Sequence, residues 1–212
     1  MKRALHLVIS GLSAAGKTTL VQALGRLDSV LVVPEHVDWI GGSKNFPRFP
    51  ENIQQKKDKQ RFFMDLDRQR FQWVQDHLTQ ADIIVTDTDF TSPLAHNYAE
   101  RWLYPELDVY NWLVDEYGAM LRKGEVGLAD AYIYLDVPLE DRKKRRRKDW
   151  PARRRNDLFF KEPFPDQMRY FYWSLMHSNS PRAALCCDWL LHEQPVGESR
   201  NELEPFLTKP GV

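Results

Sequence analysis

Apolar positions along the chain fall into two alternating kinds of segment. Short runs rich in β-branched residues lie at 5–9 (LHLVI), 30–33 (VLVV), 83–86 (IIVT), 132–137 (YIYLDV) and 185–191 (LCCDWLL). These runs are apolar on both sides, as parallel strands covered by helices on each face are. Between them, apolar residues recur at helical spacing over 17–27, 52–80, 92–122, 139–148 and 165–177, with a break near Pro105 in the third segment. The alternation predicts an α/β fold: a doubly wound, five-stranded parallel sheet flanked by helices, its site beyond the carboxyl ends of the strands. Pro and Gly gather at 41–50, which predicts a mobile loop, and the Arg- and Pro-rich stretch 149–163 reads as a second loop or a lid.

Composition narrows this picture in a few places. At 212 residues the chain suits one domain, assigned to 1–194, with 195–212 as a C-terminal tail. Lys plus Arg balance Asp plus Glu at 30 each, so no global field draws the chain to nucleic acid or a membrane. The apolar runs are far shorter than the ~20 residues of a spanning helix. Cys186 and Cys187 are neighbours in an apolar run, which argues against a disulfide framework. With strand-like sequence starting directly after residues 1–3, no signal peptide is expected, and the reading is a reduced, cytoplasmic, soluble protein.

The turn after the first run carries the most specific signal. Gly11-Leu-Ser-Ala-Ala-Gly16-Lys17-Thr18 fits G-x-x-x-x-G-K-S/T, with a strand before it and a helix after it. Gly11 and Gly16 let the backbone turn its N–H groups inward, and the helix N-terminus adds positive potential. Ser13, Ala14, Ala15 and Thr19 complete the cradle. Lys17 is expected to reach the β- and γ-phosphates, and the Thr18 hydroxyl to hold Mg²⁺. The ligand is a nucleoside triphosphate, expected to be ATP, with Mg²⁺.

Three further groups address what the triphosphate is used for. Asp87, at the end of the third strand, is the candidate carboxylate for the Mg²⁺ or its water. Glu35, just past the second strand, is the candidate base for a hydroxyl attacking the γ-phosphate. Asp89 faces the acceptor or caps the helix beginning near Ser92. The basic run from Arg142, with Arg145 and Arg147, can close over the transferring group as part of a lid at about 142–163. No aromatic residue interleaves Arg142 to Lys148, which argues against a single-stranded nucleic-acid patch.

In this order the motifs resemble those of the thymidylate kinase-like branch of the P-loop nucleoside and nucleotide kinases, over roughly residues 4–178. Besides the P-loop, the similarity rests on 62–70 (FFMDLDRQR), 87–95 (DTDFTSPLA) and 134–138 (YLDVP) followed by Arg145 and Arg147. The resemblance implies a P-loop kinase fold with a basic lid. It also implies that Phe63, Met64 and Arg68 line the acceptor pocket. Two departures move the acceptor away from thymidylate. The family's Asp-Arg pair is Asp87-Thr88 here, which removes an anchor for an accepting phosphate, although Arg68, Arg70 or Arg101 could replace it. Pro34-Glu35-His36 is closer to the glutamate of deoxynucleoside kinases, whose acceptor is a neutral hydroxyl. The expected partners are therefore ATP and a small-molecule acceptor, with a homodimer left open. Two alternatives remain: a kinase of an antibiotic or other metabolite alcohol, and a nucleic-acid-stimulated ATPase or nucleotide-binding module.

Overall fold

A computed structural model describes residues 3–147, 158–177 and 185–186. Strands β1 (Leu5–Gly11), β2 (Val30–Val33), β3 (Ile83–Asp87) and β4 (Ala131–Leu135) pair in parallel in the order β2-β3-β1-β4. The chain runs one way from β1 to β2 and the other way to β4, so the carboxyl ends of β1 and β3 flank a crevice. Of the fifth predicted strand, 185–191, the described residues contain the two-residue β5, Leu185–Cys186, beside Ile133 and Tyr134 of β4. The remainder of that segment lies outside the described residues, as does the predicted tail 195–212.

Alternation along each strand assigns its faces. Leu7 and Ile9, with Val85, Val30, Val32, Ile133 and Leu135, pack against Val21, Leu20 and Leu24 of helix α1 (Lys17–Leu24). His6, Val8 and Ser10 point the other way. On that side lie α3 (Ile53–His77), α4 (Thr91–Glu100), α5 (Tyr110–Lys123) and α7 (Phe164–His177). The larger core there includes Met64, Leu94, Tyr98, Leu113, Tyr117, Tyr134, Phe171 and Tyr172.

The predicted break near Pro105 is real. A single 3₁₀ turn, Pro105–Leu107, separates α4 from α5, with the proline at a first-turn position that needs no N–H donor. α3 starts at a side-chain cap, Asn52 accepting from the Gln55 N–H at 2.9 Å. The 41–50 segment follows a one-turn helix, α2 (His36–Trp39), and contains a 3₁₀ turn at Ser43–Asn45. The basic run is helical, as its spacing predicts, through α6 (Leu139–Arg147). Residues 148–157 of the predicted lid lie outside the described residues.

Candidate active site

The turn between β1 and α1 is held in an unusual backbone. Gly11 (φ 147°) and Gly16 (φ 102°) occupy the region that disfavours side chains, and Ala14 joins them at φ 64°. Gly11 is required twice over, because a Cβ there would stand 2.6 Å from the Leu135 carbonyl oxygen of β4. No side chain caps the first turn of α1. Its leading N–H groups therefore remain available to an anion, and the helix dipole favours one. Lys17 folds back to donate to the Leu12 carbonyl at 3.3 Å.

Behind the turn, Thr18 Oγ1 donates to Asp87 Oδ2 at 2.9 Å. Asp87 is 1% exposed, and its Oδ1 has no hydrogen-bond partner. Burial and the nearby Glu35 carboxylate raise its pKa, against the pull of Lys17, Thr18 and Arg70. An orphaned buried carboxylate oxygen beside a threonine hydroxyl and a second carboxylate is a set of hard oxygen donors, which suits Mg²⁺. Among the described residues no group of three His, Cys, Asp or Glu side chains could hold a metal by itself. Mg²⁺ commonly needs only one or two carboxylates, because water and phosphate supply the rest. Glu35 precedes α2 and is not used to cap it.

α3 ties these strand ends together. His36 Nε2 lies 2.7 Å from Asp67 Oδ1, and Tyr117 donates to Asp67 Oδ2 at 2.6 Å. Arg70, 2% exposed, donates from Nη2 to the carbonyls of Asp87 (2.8 Å) and Thr88 (2.7 Å). Its Nη1 sits 3.1 Å from His36 Nε2 and 3.5 Å from Asp67 Oδ1. Thr88 adopts φ 57°, rare for a β-branched residue. It is fixed from two directions, by Arg70 at its carbonyl and by the Ile9 carbonyl, 3.0 Å from its N–H. The sequence showed Arg70 only as one of three spare cations; its place on the inner face follows from the spacing Phe63, Asp67, Arg70, Val74.

Several sequence expectations change. Arg68, expected in the acceptor pocket, is on the outer side of α3, paired with Asp65 at 2.6 Å and Glu125 at 2.9 Å. It stands one residue from Asp67, a 100° turn away from the site. Met64 is a core side chain, 5% exposed. Asp89 is a cap: Oδ1 accepts from the Thr91 N–H and hydroxyl, and Oδ2 from Tyr132 at 2.8 Å. Arg142 is wholly buried, donating to the Val137 and Phe159 carbonyls and lying 5.3 Å from the Phe160 ring centroid. Arg145 donates to the Ala15 carbonyl at 2.7 Å, so it borders the β1–α1 turn. The Arg147 side chain lies outside the described residues. Phe63 stands edge-on to His36 and Phe46, with ring centroids 5.6 and 5.4 Å away.

No protein-family model matches the sequence, and no curated protein matches it significantly. Solved structures match the fold. A deoxyadenosine kinase from M. mycoides with bound dATP superposes with TM-score 0.64 at 16% identity, covering 87% of this chain and 90% of that one. The same enzyme with bound dCTP gives 0.60 at 19% identity, with the same coverage. A thymidylate kinase from Candida albicans gives 0.62 at 15% identity, covering 87% of this chain and 83% of that one. The chain thus has the fold of P-loop nucleoside and nucleotide kinases.

Proposed function

We propose that the protein is an ATP- and Mg²⁺-dependent kinase that transfers the γ-phosphoryl group to a hydroxyl of a small nucleoside- or nucleotide-like acceptor. One observation carries the reading: a strand-end carboxylate, Asp87, bonded to Thr18 in the turn, with its second oxygen orphaned and Glu35 close enough to raise its pKa. The fold supports it, since its structural neighbours are named as kinases of thymidylate and of deoxyadenosine.

Each residue then has a task. The backbone of Gly11 to Thr18 binds the polyphosphate, and Lys17 leaves the Leu12 carbonyl to neutralise charge on the transferring group. Thr18 and Asp87 would hold Mg²⁺, which would offset negative charge on the triphosphate. Glu35 accepts the acceptor hydroxyl's proton as its oxygen bonds to phosphorus and the bond to the β-phosphate oxygen breaks. Arg145, already beside the turn, adds positive charge at its rim.

The test is ADP release with ATP, Mg²⁺ and a panel of nucleosides, nucleoside monophosphates and non-nucleotide alcohols. At least one nucleoside-like acceptor is expected to stimulate release in wild type and not in Lys17→Ala. Release that no acceptor stimulates would overturn the reading.

A further inference from the structure

The three arginines that could stand in for the missing family arginine are all engaged. Arg68 pairs at the surface with Asp65 and Glu125, and Arg70 is bound to the Asp87 and Thr88 carbonyls. Arg101 lies over the rings of Tyr98 and Tyr110, at 4.4 and 5.1 Å. Of the other cations on α3, Lys57 and Arg61 lie over the Trp112 ring, at 5.0 and 5.4 Å, which leaves Lys56 and Lys59.

Lys56 is 3% exposed and paired with Glu100 of α4, whose Oε2 is also 3.3 Å from His96 Nδ1. Lys59, one turn further on, is partly buried. Among the described residues its ammonium has neither a hydrogen bond nor an ion pair. Burial and the adjacent Lys56 ammonium lower its pKa, and the charge of Glu100 only partly opposes this. In a partly desolvated place, positive charge without a partner is costly. Lys59 is four residues before Phe63, on the same side of α3, and eight before Asp67, about 12 Å along the axis.

We propose that Lys59 is an anion subsite at the far end of the acceptor cleft, taking a carboxylate or phosphate carried by the molecule whose hydroxyl meets Glu35. The assignment of the cleft to an acceptor rests on the kinase reading; the anion site itself does not. The acceptor is accordingly a hydroxyl compound about as long as a nucleoside, with an anionic group remote from the reacting oxygen.

Calorimetric titration with inorganic phosphate and with citrate tests the subsite, at saturating ADP and Mg²⁺ so that the β1–α1 turn is filled. If ADP does not bind, the kinase reading fails on that measurement, and the titration is run on Lys17→Ala instead. Wild type is expected to bind at least one of the two anions, phosphate or carboxylate identifying the group. Lys59→Gln should weaken binding at least about tenfold and Lys59→Arg should retain it. Thermal melting confirms that both variants fold. No anion binding by wild type, or equal affinity in Lys59→Gln, overturns the proposal. With an active acceptor pair differing only in the anion, Lys59→Gln should raise KM for the charged member and leave kcat and the neutral member unchanged.

Discussion

Lys17 donates to the Leu12 carbonyl in the turn that it is proposed to serve, and Asp87 keeps one oxygen on Thr18 while the other has no partner. Both arrangements are half-filled, and each gives a substitution with a defined outcome. Lys17→Ala removes a charge used only when phosphoryl oxygens are present. Steady-state kinetics should show turnover lower by about 100- to 1,000-fold, with an unchanged circular dichroism spectrum. Asp87→Asn removes a negative ligand and relieves repulsion with Glu35. Its Mg²⁺ requirement should move to higher concentration, read as activity against Mg²⁺, while its melting temperature holds or rises. A lower melting temperature at unchanged Mg²⁺ demand would make Asp87 structural. These residues were legible in the sequence because the glycine-lysine-threonine spacing is set by phosphate geometry, whatever the rest of the fold. Asp89 was not: a carboxylate after a strand reads the same whether it meets a ligand or caps a helix, and Thr91 and Tyr132 decide the matter only in three dimensions.

α3 is the element that organises the cleft. Along one stripe it carries Lys56, the Glu100 partner; Phe63, edge-on to His36; and Asp67 and Arg70, the ties to α2 and β3. Asp67→Ala would leave the buried Tyr117 hydroxyl without its partner and take the carboxylate away from His36 and Arg70, at about 1–3 kcal/mol for each polar group left unpaired. Denaturant titration should show that loss, and kcat should fall with it because His36 is next to Glu35. A helix over 52–80 was plain from its period, and the structure ends it at His77. The split between Arg68 and Arg70 was harder to read. Two arginines two residues apart differ by about 200° around the axis, and only the apolar neighbours Phe63 and Val74 say which one turns inward. One member of the basic run was hard to place for a related reason. The run's first arginine, Arg142, is enclosed by the Val137 and Phe159 carbonyls and the Phe160 ring, contacts that composition cannot show.

For the molecule as a whole, buried ionisable groups set the response to acid. Burial holds His6 neutral, with a pKa of about 4 against 6.5, against the pull of Asp130 and aided by Arg3 and Arg70. Below pH 6.5 the unfolded chain gains a proton there that the native one refuses until about 4, so stability falls across that window by up to about 3 kcal/mol. Burial would raise Glu100, but His96 and Lys56 overcome it and bring the group to about 2. Its contribution is complete above pH 4.5 and is lost as the pH falls through about 2. Denaturant titrations from pH 7 to 3 should therefore show stability falling from near pH 6.5 and more steeply under 4.5. His6→Phe should flatten the upper part of that curve alone. The strands and helices themselves were readable from periodicity, because runs apolar on both sides need helices to cover them; the order of the strands was not. This interior polar set was not readable, since His6 and Glu100 are ordinary surface residue types until the packing encloses them.

The missing Cβ at Gly11 has a mechanical consequence. With the Leu135 oxygen only 2.6 Å from where that atom would stand, the base of the turn rests on the neighbouring strand as on a pedestal. That strand continues through α6 to Arg145, which grips the same turn from its outer side at the Ala15 carbonyl. Support and clasp thus come from one stretch of chain, so a shift of β4 would carry both together and preserve their spacing.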